Sequence, residues 1–155
     1  MTIRFAETRD IPGMIDLLQQ VGQVHHQIRP DLFRDGAQKD DEPALEALLL
    51  DKTRPIFIAD TDGKVAGYCF CILQVTEGNP VLCDRKVLYI DDLCVDETIR
   101  GHGIATKLYE HTLAFAREQG CDAVTLNVWY GNDALKFYEK CGMKPQKIGM
   151  EFILC

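Results

Sequence analysis

The segment that most constrains the fold is an apolar strand pattern that passes into a strong helix pattern through a turn containing two glycines. Residues 86–95 are rich in Val, Leu, Ile and Tyr, whereas residues 104–118 place apolar side chains at helical spacing. Gly101 and Gly103 occupy the turn, and Arg100 precedes them. This change of period over a short turn predicts a helix that packs on a sheet.

The same periodicities predict the element order βααβββαβαβ along the chain. We expect Asp10 to cap a first helix from Ile11, and the helical period is lost between residues 23 and 42. The other expected helices cover residues 43–50, 104–118 and 132–141. The expected strands cover residues 2–6, 55–60, 64–75, 86–95, 123–128 and 147–154.

Length and composition indicate one globular domain over residues 1–155. Hydrophobic residues make up 46% and charged residues 26%, which excludes disorder as a description of the whole chain. No run of about 18 apolar residues occurs and residues 1–10 carry charges, so we expect a cytoplasmic protein with no membrane partner. A net charge of −7 argues against nucleic-acid binding and favours a cationic small substrate.

The seven cysteines are an odd number in a chain long enough to build a core without disulfides, so we expect reduced thiols. Cys69 and Cys71 lie two residues apart on an apolar strand pattern. No second Cys or His pair follows at zinc-finger spacing, so we expect no metal site.

The two-glycine turn has the features of an anion site. Several amides would lie unpaired at the positive end of the helix dipole, and Arg100 adds a formal charge. A Walker phosphate loop is absent, and a dinucleotide loop would need a third glycine where Thr106 stands. The remaining alternative is that the glycines only cap a tight turn.

Three segments carry a resemblance to GNAT-type N-acetyltransferases. The string R-G-H-G-I-A at residues 100–105 resembles the family's Q/R-x-x-G-x-G/A signature. Residues 88–95 are similar to its fourth strand. Residues 132–143 are similar to its N-x-x-A-x-x-F-Y-x-x-x-G-F/M helix, although Ala134 falls one place earlier than the family's alanine.

This resemblance implies a single-domain α/β (α+β) fold, with a mixed, mostly antiparallel sheet of six to seven strands and about four helices. It also implies acetyl-coenzyme A as co-substrate, with its diphosphate on the turn and its pantetheine arm between splayed fourth and fifth strands. The residues expected to contact the coenzyme are Leu93, Cys94, Val95, Arg100, Gly101, His102, Gly103, Ile104, Ala105, Thr106, Asn132, Ala134, Phe137 and Tyr138.

Acetyl transfer to an amine needs a group that removes a proton, because an alkylamine has a pKa of about 10.4. Asp91 and Asp92 are the carboxylates nearest the expected reaction centre. Strand alternation predicts that only one of them faces the acceptor. Similarity to a subset that includes diamine acetyltransferases favours Asp91, while the alternative is that both are solvated or bind turn amides.

Tyr138 matches the family tyrosine that can donate a proton to the leaving thiolate, although a core aromatic is the alternative. The oxyanion would bind a backbone amide near Leu93. Cys94 could in principle carry the acetyl group, but no histidine stands at an activating spacing, and a buried structural thiol is favoured. Asn132 would bind the coenzyme or cap its helix.

The resulting hypothesis is an acetyl-coenzyme A-dependent N-acetyltransferase that works by direct transfer in a ternary complex. The acceptor is not specified, and a small cationic amine or amino-acid derivative is favoured over a protein amine. The alternative is a non-catalytic acyl-coenzyme A sensor or interaction module. A homodimer is expected from family habit alone. The pair His25 and His26, and the pair Trp129 and Tyr130, are candidates for lining the acceptor cleft.

Overall fold

A five-stranded sheet forms the centre of the structure, a computed structural model that describes residues 1–155. The strands lie in chain order across the sheet; the first four are antiparallel neighbours, and the fifth runs parallel to the fourth. They are β1 (Thr2–Phe5), β2 (Ile56–Thr61), β3 (Lys64–Thr76), β4 (Arg85–Val95) and β5 (Ala123–Leu126).

Helices cover both faces of this sheet. They are α1 (Ile11–Ile28), α2 (Glu42–Leu49), α3 (Ile104–Glu118) and α4 (Ala134–Lys140), with single 3₁₀ turns at Thr8–Asp10 and Glu97–Ile99. One core cluster joins apolar residues of α1 and α2 to the strands, and a second joins those of α3 to the opposite face. Tyr138 of α4 belongs to the second cluster. The sheet is therefore buried on both sides, as expected for this fold class.

The first helix is longer than its pattern predicts. It continues through the aperiodic region to Ile28 and stops two residues before Pro30, which cannot continue a helix in the usual way. Asp10 does not cap it: its carboxylate accepts two hydrogen bonds from Arg4, at 2.8 and 2.9 Å, and one from the Glu7 amide. Burial alone would raise the pKa of Asp10, but these hydrogen bonds outweigh burial and lower it.

The predicted strand at residues 147–154 is wrong, and the sheet accordingly has five strands rather than six or seven. Residues 144–155 form no backbone-to-backbone hydrogen bond and lie exposed. Apolar alternation predicts strand character, but a strand also needs a partner, and this chain supplies none to the segment. We call residues 144–155 the C-terminal segment.

Two irregularities at the centre of β4 shape the sheet. The register with β3 shifts so that Phe70 faces Asp92 and Cys71 faces Ile90, which leaves Asp91 as the extra residue of a β-bulge. Pairing with β5 ends at Ile90 opposite Leu126. Beyond this point β4 continues to Val95 without a neighbour on that side, so the two strands part where the bulge occurs.

Candidate active site

The two-glycine turn presents free amides at the start of α3. Gly101 and Gly103 have φ values of +90° and +73°, a backbone region that side chains with a Cβ rarely adopt. Lys107 makes the first helical bond, to the Gly103 carbonyl at 3.1 Å. The amides of residues 104–106 therefore have no intrahelical acceptor, as at any helix start. With the helix dipole behind them, they form an anion site.

Side chains around this turn leave that site open. Arg100 donates its Nε–H to the Val95 carbonyl at 3.2 Å, which fixes the guanidinium next to the turn while its terminal nitrogens remain available. The ring of His102 folds back, with Nδ1 3.0 Å from the Ile99 carbonyl. A cationic group and unpaired amides thus surround the same space.

Main-chain groups without a strand partner lie on β4 between the strand separation and the turn. Residues 92–95 pair with β3 along one edge, and no strand pairs with their other edge, where Arg100 reaches the Val95 carbonyl. Buried main-chain groups of this kind are normally satisfied, so an extended ligand that fills the gap would complete the sheet. The pairing of β4 with β5 therefore stops where the resemblance implies a splay, and Leu93, Cys94 and Val95 lie beyond that point.

Both candidate carboxylates lie on the α1–α2 side of the sheet, contrary to the expectation that only one would. Asp91 forms an ion pair with Lys39, and Asp92 accepts a hydrogen bond of 2.5 Å from the Tyr68 hydroxyl. The bulge explains this result because it interrupts the alternation of side chains at Asp91. Burial raises the pKa of Asp92 to about 6, and the Tyr68 hydrogen bond opposes that rise.

Tyr138 approaches the separation from the other side. Its ring is buried beside Phe137 and Tyr109, with centroids 5.1 and 6.4 Å away. The hydroxyl makes no protein hydrogen bond, yet no fully buried side-chain oxygen lacks a partner, so this hydroxyl reaches solvent. Burial raises the pKa of Tyr138, and the charge of Asp92 adds to the effect. Tyr138 is thus both a core aromatic and an available proton donor.

The remaining predicted residues take structural positions near these groups. Asn132 Oδ1 accepts from the Ala134 amide at 2.9 Å, which supports the start of α4. Phe137 and Ala134 pack against the α3-side core. Burial raises the pKa of Cys94 to about 12, and its sulfur has only carbonyl neighbours, so it remains a protonated structural thiol at neutral pH.

A small cavity adjoins Asp91 on the α1–α2 side. It encloses about 60 Å³ between α2 and β3, and the side chains of Lys39, Asp40, Asp91 and Phe70 line it. Lys39 comes from the connection between α1 and α2, 52 residues before Asp91. A contact between residues so far apart in the sequence has no local signal. Sequence patterns therefore did not identify Lys39 as a residue of the site. Tyr68 was missed because its strand pattern is typical of core residues.

Aromatic side chains form a wall beyond that connection. Phe33 packs edge-on against Trp129, with centroids 5.5 Å apart, and stacks near His25. Arg29 lies over the Trp129 ring at 5.8 Å. Tyr130 is almost fully exposed and contributes little to the wall.

Two other sequence-based questions concern metals and membranes. No group of three or more His, Cys, Asp or Glu side chains is arranged to hold a metal ion. None of the helices combines the length and apolarity that a membrane crossing requires. All seven cysteines are free thiols, and the sulfurs of Cys69 and Cys71 lie 3.6 Å apart.

This chain is similar to several known proteins in sequence or in structure. A Bacillus halodurans protein solved as a mutant is 33% identical and superposes with a TM-score of 0.94 over 100% of both chains. An aminoglycoside N-acetyltransferase in complex with CoA shares the fold, with a TM-score of 0.72 at 17% identity over 99% of both chains. The glucosamine 6-phosphate N-acetyltransferase of Arabidopsis thaliana is 35% identical over 59% of this chain and 58% of its own length.

The curated relatives match over only part of their length. The aligned region covers between 40% and 64% of each of them. The sequence profile described as the acetyltransferase (GNAT) family matches residues 22–143, a range that contains the strand separation, the two-glycine turn and Tyr138. The chain therefore belongs to the acetyltransferase (GNAT) family.

Proposed function

We propose that this protein is an N-acetyltransferase that moves an acetyl group from acetyl-coenzyme A to a primary amine in a ternary complex. The observation that carries this proposal is a set of unpaired main-chain groups in two places: the edge of Leu93 to Val95 that lacks a strand partner, and the amides of residues 104–106. Such groups suit the amides of a pantetheine arm and the oxygens of its diphosphate. Family membership and the relatives named above support the same activity.

The coenzyme would bind with its diphosphate at the turn. Its phosphate oxygens would accept hydrogen bonds from the free amides of α3, and Arg100 would add charge. The arm would pair with the free edge of Leu93 and Val95, which places the thioester at the bulge. The amide of Leu93 would then stabilise the oxyanion.

Proton transfer would use groups on both faces of the sheet. Asp92, or Asp91 beside it, would take the proton of the incoming ammonium on the α1–α2 side. Tyr138 would return a proton to the leaving thiolate on the α3 side, since a phenol is protonated at neutral pH. In this scheme both groups would act on one reacting carbon through the strand separation.

A small cationic amine fits the acceptor side best. Two carboxylates, those of Asp40 and Asp91, line the cavity, Asp92 follows Asp91 on β4, and the whole chain carries a charge of −7. The glucosamine 6-phosphate and aminoglycoside enzymes among the similar proteins act on aminosugars, so aminosugars belong in the panel of acceptors to be tested.

The activity is tested by calorimetric titration with acetyl-coenzyme A, followed by thiol release across a panel of polyamines, aminosugars and amino-acid derivatives. We expect coenzyme binding and amine-dependent release of thiol. Binding without turnover on any acceptor would favour the acyl-coenzyme A sensor instead. No binding by folded protein would contradict both functions.

We also propose a cytoplasmic location, which the seven free thiols fit.

The pH dependence of kcat/KM tests Asp92 as the base. A base with a pKa of about 6 must lose its proton to act, so we expect the rate to rise through pH 6 and then level off. Tyr68→Phe removes the hydrogen bond that stabilises the carboxylate, so the rise should move to higher pH. Tyr89→Phe, on the same strand as Asp92, removes a hydroxyl that binds Asn127 instead; it is the control and should leave the rise in place. An unmoved rise in Tyr68→Phe would assign the base elsewhere.

We also propose that the protein is a homodimer in which each copy's C-terminal segment extends the other's sheet. The supporting observation is a pair of unpartnered elements in one chain: a segment without main-chain hydrogen bonds, and β5, which has β4 on one side only. The apolar side chains of the segment alternate and are at least 80% exposed at Ile148, Met150, Phe152 and Leu154. Reciprocal exchange about a two-fold axis would cover both copies' segments.

Sedimentation of the full chain tests this arrangement. We expect a dimer at micromolar concentration, and Phe152→Asp should shift it toward monomer because a buried charge on the apolar face is costly. Gly149→Asp places the same charge on the other face and should leave the dimer intact. A monomeric wild-type chain would contradict the exchange, and so would equal effects of the two variants.

A further inference from the structure

We propose that Lys39 is a site of self-acetylation: bound acetyl-coenzyme A transfers its acetyl group to the Lys39 amine when no other acceptor is present. This inference rests on the proposed function, because it needs the thioester at the β4 bulge. The contact that carries it is the ion pair between Lys39 Nζ and the Asp91 carboxylate. It places a primary amine of the chain itself next to the point where β4 and β5 part.

The surroundings of Lys39 resemble those required by an acceptor amine. Its ammonium lines the small cavity together with Asp40 and Asp91, and its charge acts on the carboxyl of Asp92. The pKa of His25 is lowered mainly by burial, and the charge of Lys39 lowers it further. About half of the Lys39 side chain is exposed, so the amine can turn toward the thioester without leaving a packed site.

The reaction balances with the groups present. Of the protons on the ammonium, one passes to the Asp91 carboxylate and then to solvent, which frees the nitrogen lone pair. Nitrogen attacks the thioester carbonyl, a C–N bond forms and the C–S bond breaks. A second proton reaches the departing thiolate through Tyr138, and the last remains on the amide. The products are acetyl-lysine, coenzyme A and one proton.

The modification would change the acceptor side of the site. Acetylation removes the charge of Lys39, so the ion pair with Asp91 is lost and that carboxylate becomes free. An acceptor ammonium could then bind Asp91 without displacing a lysine. In the unmodified protein, by contrast, Lys39 and the acceptor amine compete for the same carboxylate.

Mass spectrometry after incubation with acetyl-coenzyme A alone tests the proposal. We expect one acetyl group on Lys39, added at least about tenfold faster than on the exposed Lys52 or Lys144, because only Lys39 is held near the thioester. Lys39→Arg should abolish the addition, and Asp91→Asn should slow it. A saturating amine acceptor should suppress it as well, since both amines need the same position.

Two controls separate specific transfer from chemical acetylation and from failure of the proposed function. Protein unfolded in urea should lose the preference for Lys39. Equal labelling of Lys39 and Lys52 in folded protein would overturn the proposal. Absence of label on Lys39 after incubation without an added amine, in protein that turns over an added amine in a separate assay, would overturn it too, while leaving the proposed function intact. Absence of coenzyme binding in the calorimetric titration would instead remove the function itself.

Discussion

Replacing Gly103 with valine is expected to weaken acetyl-coenzyme A binding by about ten- to a hundredfold, because left-handed backbone costs a residue with a side chain about 1–3 kcal/mol. At φ +73° Gly103 begins α3 and directs the free amides of residues 104–106 outward. A β-branched side chain favours extended backbone, so the turn would open and the amides would lose their common direction. Calorimetric titration with the coenzyme measures the loss.

Gly63→Val is the matched control for this experiment. Gly63 has a similar φ of +81° in the turn between β2 and β3, and its Cβ would also meet open space. The two variants therefore carry comparable backbone strain, but only one lies at the anion site. We expect both to lose thermal stability and only Gly103→Val to lose affinity. Equal affinity in the two variants would show that the coenzyme's diphosphate binds elsewhere.

The turn was predictable from sequence because each of its determinants is local. Two glycines one residue apart, between a strand pattern and a helix pattern, specify positive φ, free amides and a helix dipole without reference to the rest of the chain. The core helices and the first five strands follow from local periodicity for the same reason. Ile104–Glu118, which has the clearest apolar stripe, has the bounds that the pattern predicts.

What could not be predicted depends on partners distant in sequence. The bulge at Asp91 arises from the register between β3 and β4, and no residue type or spacing within β4 predicts it. The Tyr68 hydroxyl reaches Asp92 across that same pair of strands, and Lys39 reaches Asp91 from a connection without periodicity. The C-terminal segment shows the converse, since a clear strand pattern remains unpaired when its partner is not in the chain.

The bulge lies where the pairing of β4 with β5 ends, between the faces that carry the proposed base and the proposed acid. The strand β5 ends at Leu126, so residues 91–95 of β4 have no strand on that side. Because pairing stops at Ile90, the α1–α2 side with Asp92 and the α3 side with Tyr138 communicate through the opening. The effect of the Asp92 charge on the pKa of Tyr138 agrees with this proximity. We propose that a thioester carbonyl held there is accessible to both groups.

Tyr138→Phe is expected to lower kcat by about a hundredfold, within the range that a positioned general acid contributes, while the dissociation constant for acetyl-coenzyme A changes little. The substitution removes only a hydroxyl that has no protein hydrogen bond, so the packing beside Phe137 and Tyr109 should persist. Without the proton of the Tyr138 hydroxyl, the thiolate must leave as an anion or be protonated by water. Steady-state kinetics with calorimetric titration separates the two quantities.

Tyr109→Phe provides the comparison that decides whether the hydroxyl of Tyr138 matters chemically. Tyr109 is buried in the same core cluster, and its ring lies 6.4 Å from that of Tyr138. A general loss of packing or polarity would affect both variants alike, whereas loss of the proton donor affects Tyr138→Phe alone. The kcat of Tyr138→Phe relative to that of the wild type should also rise at lower pH, where solvent protonates the thiolate more readily. An unchanged kcat at every pH would assign Tyr138 to the core and the proton to water.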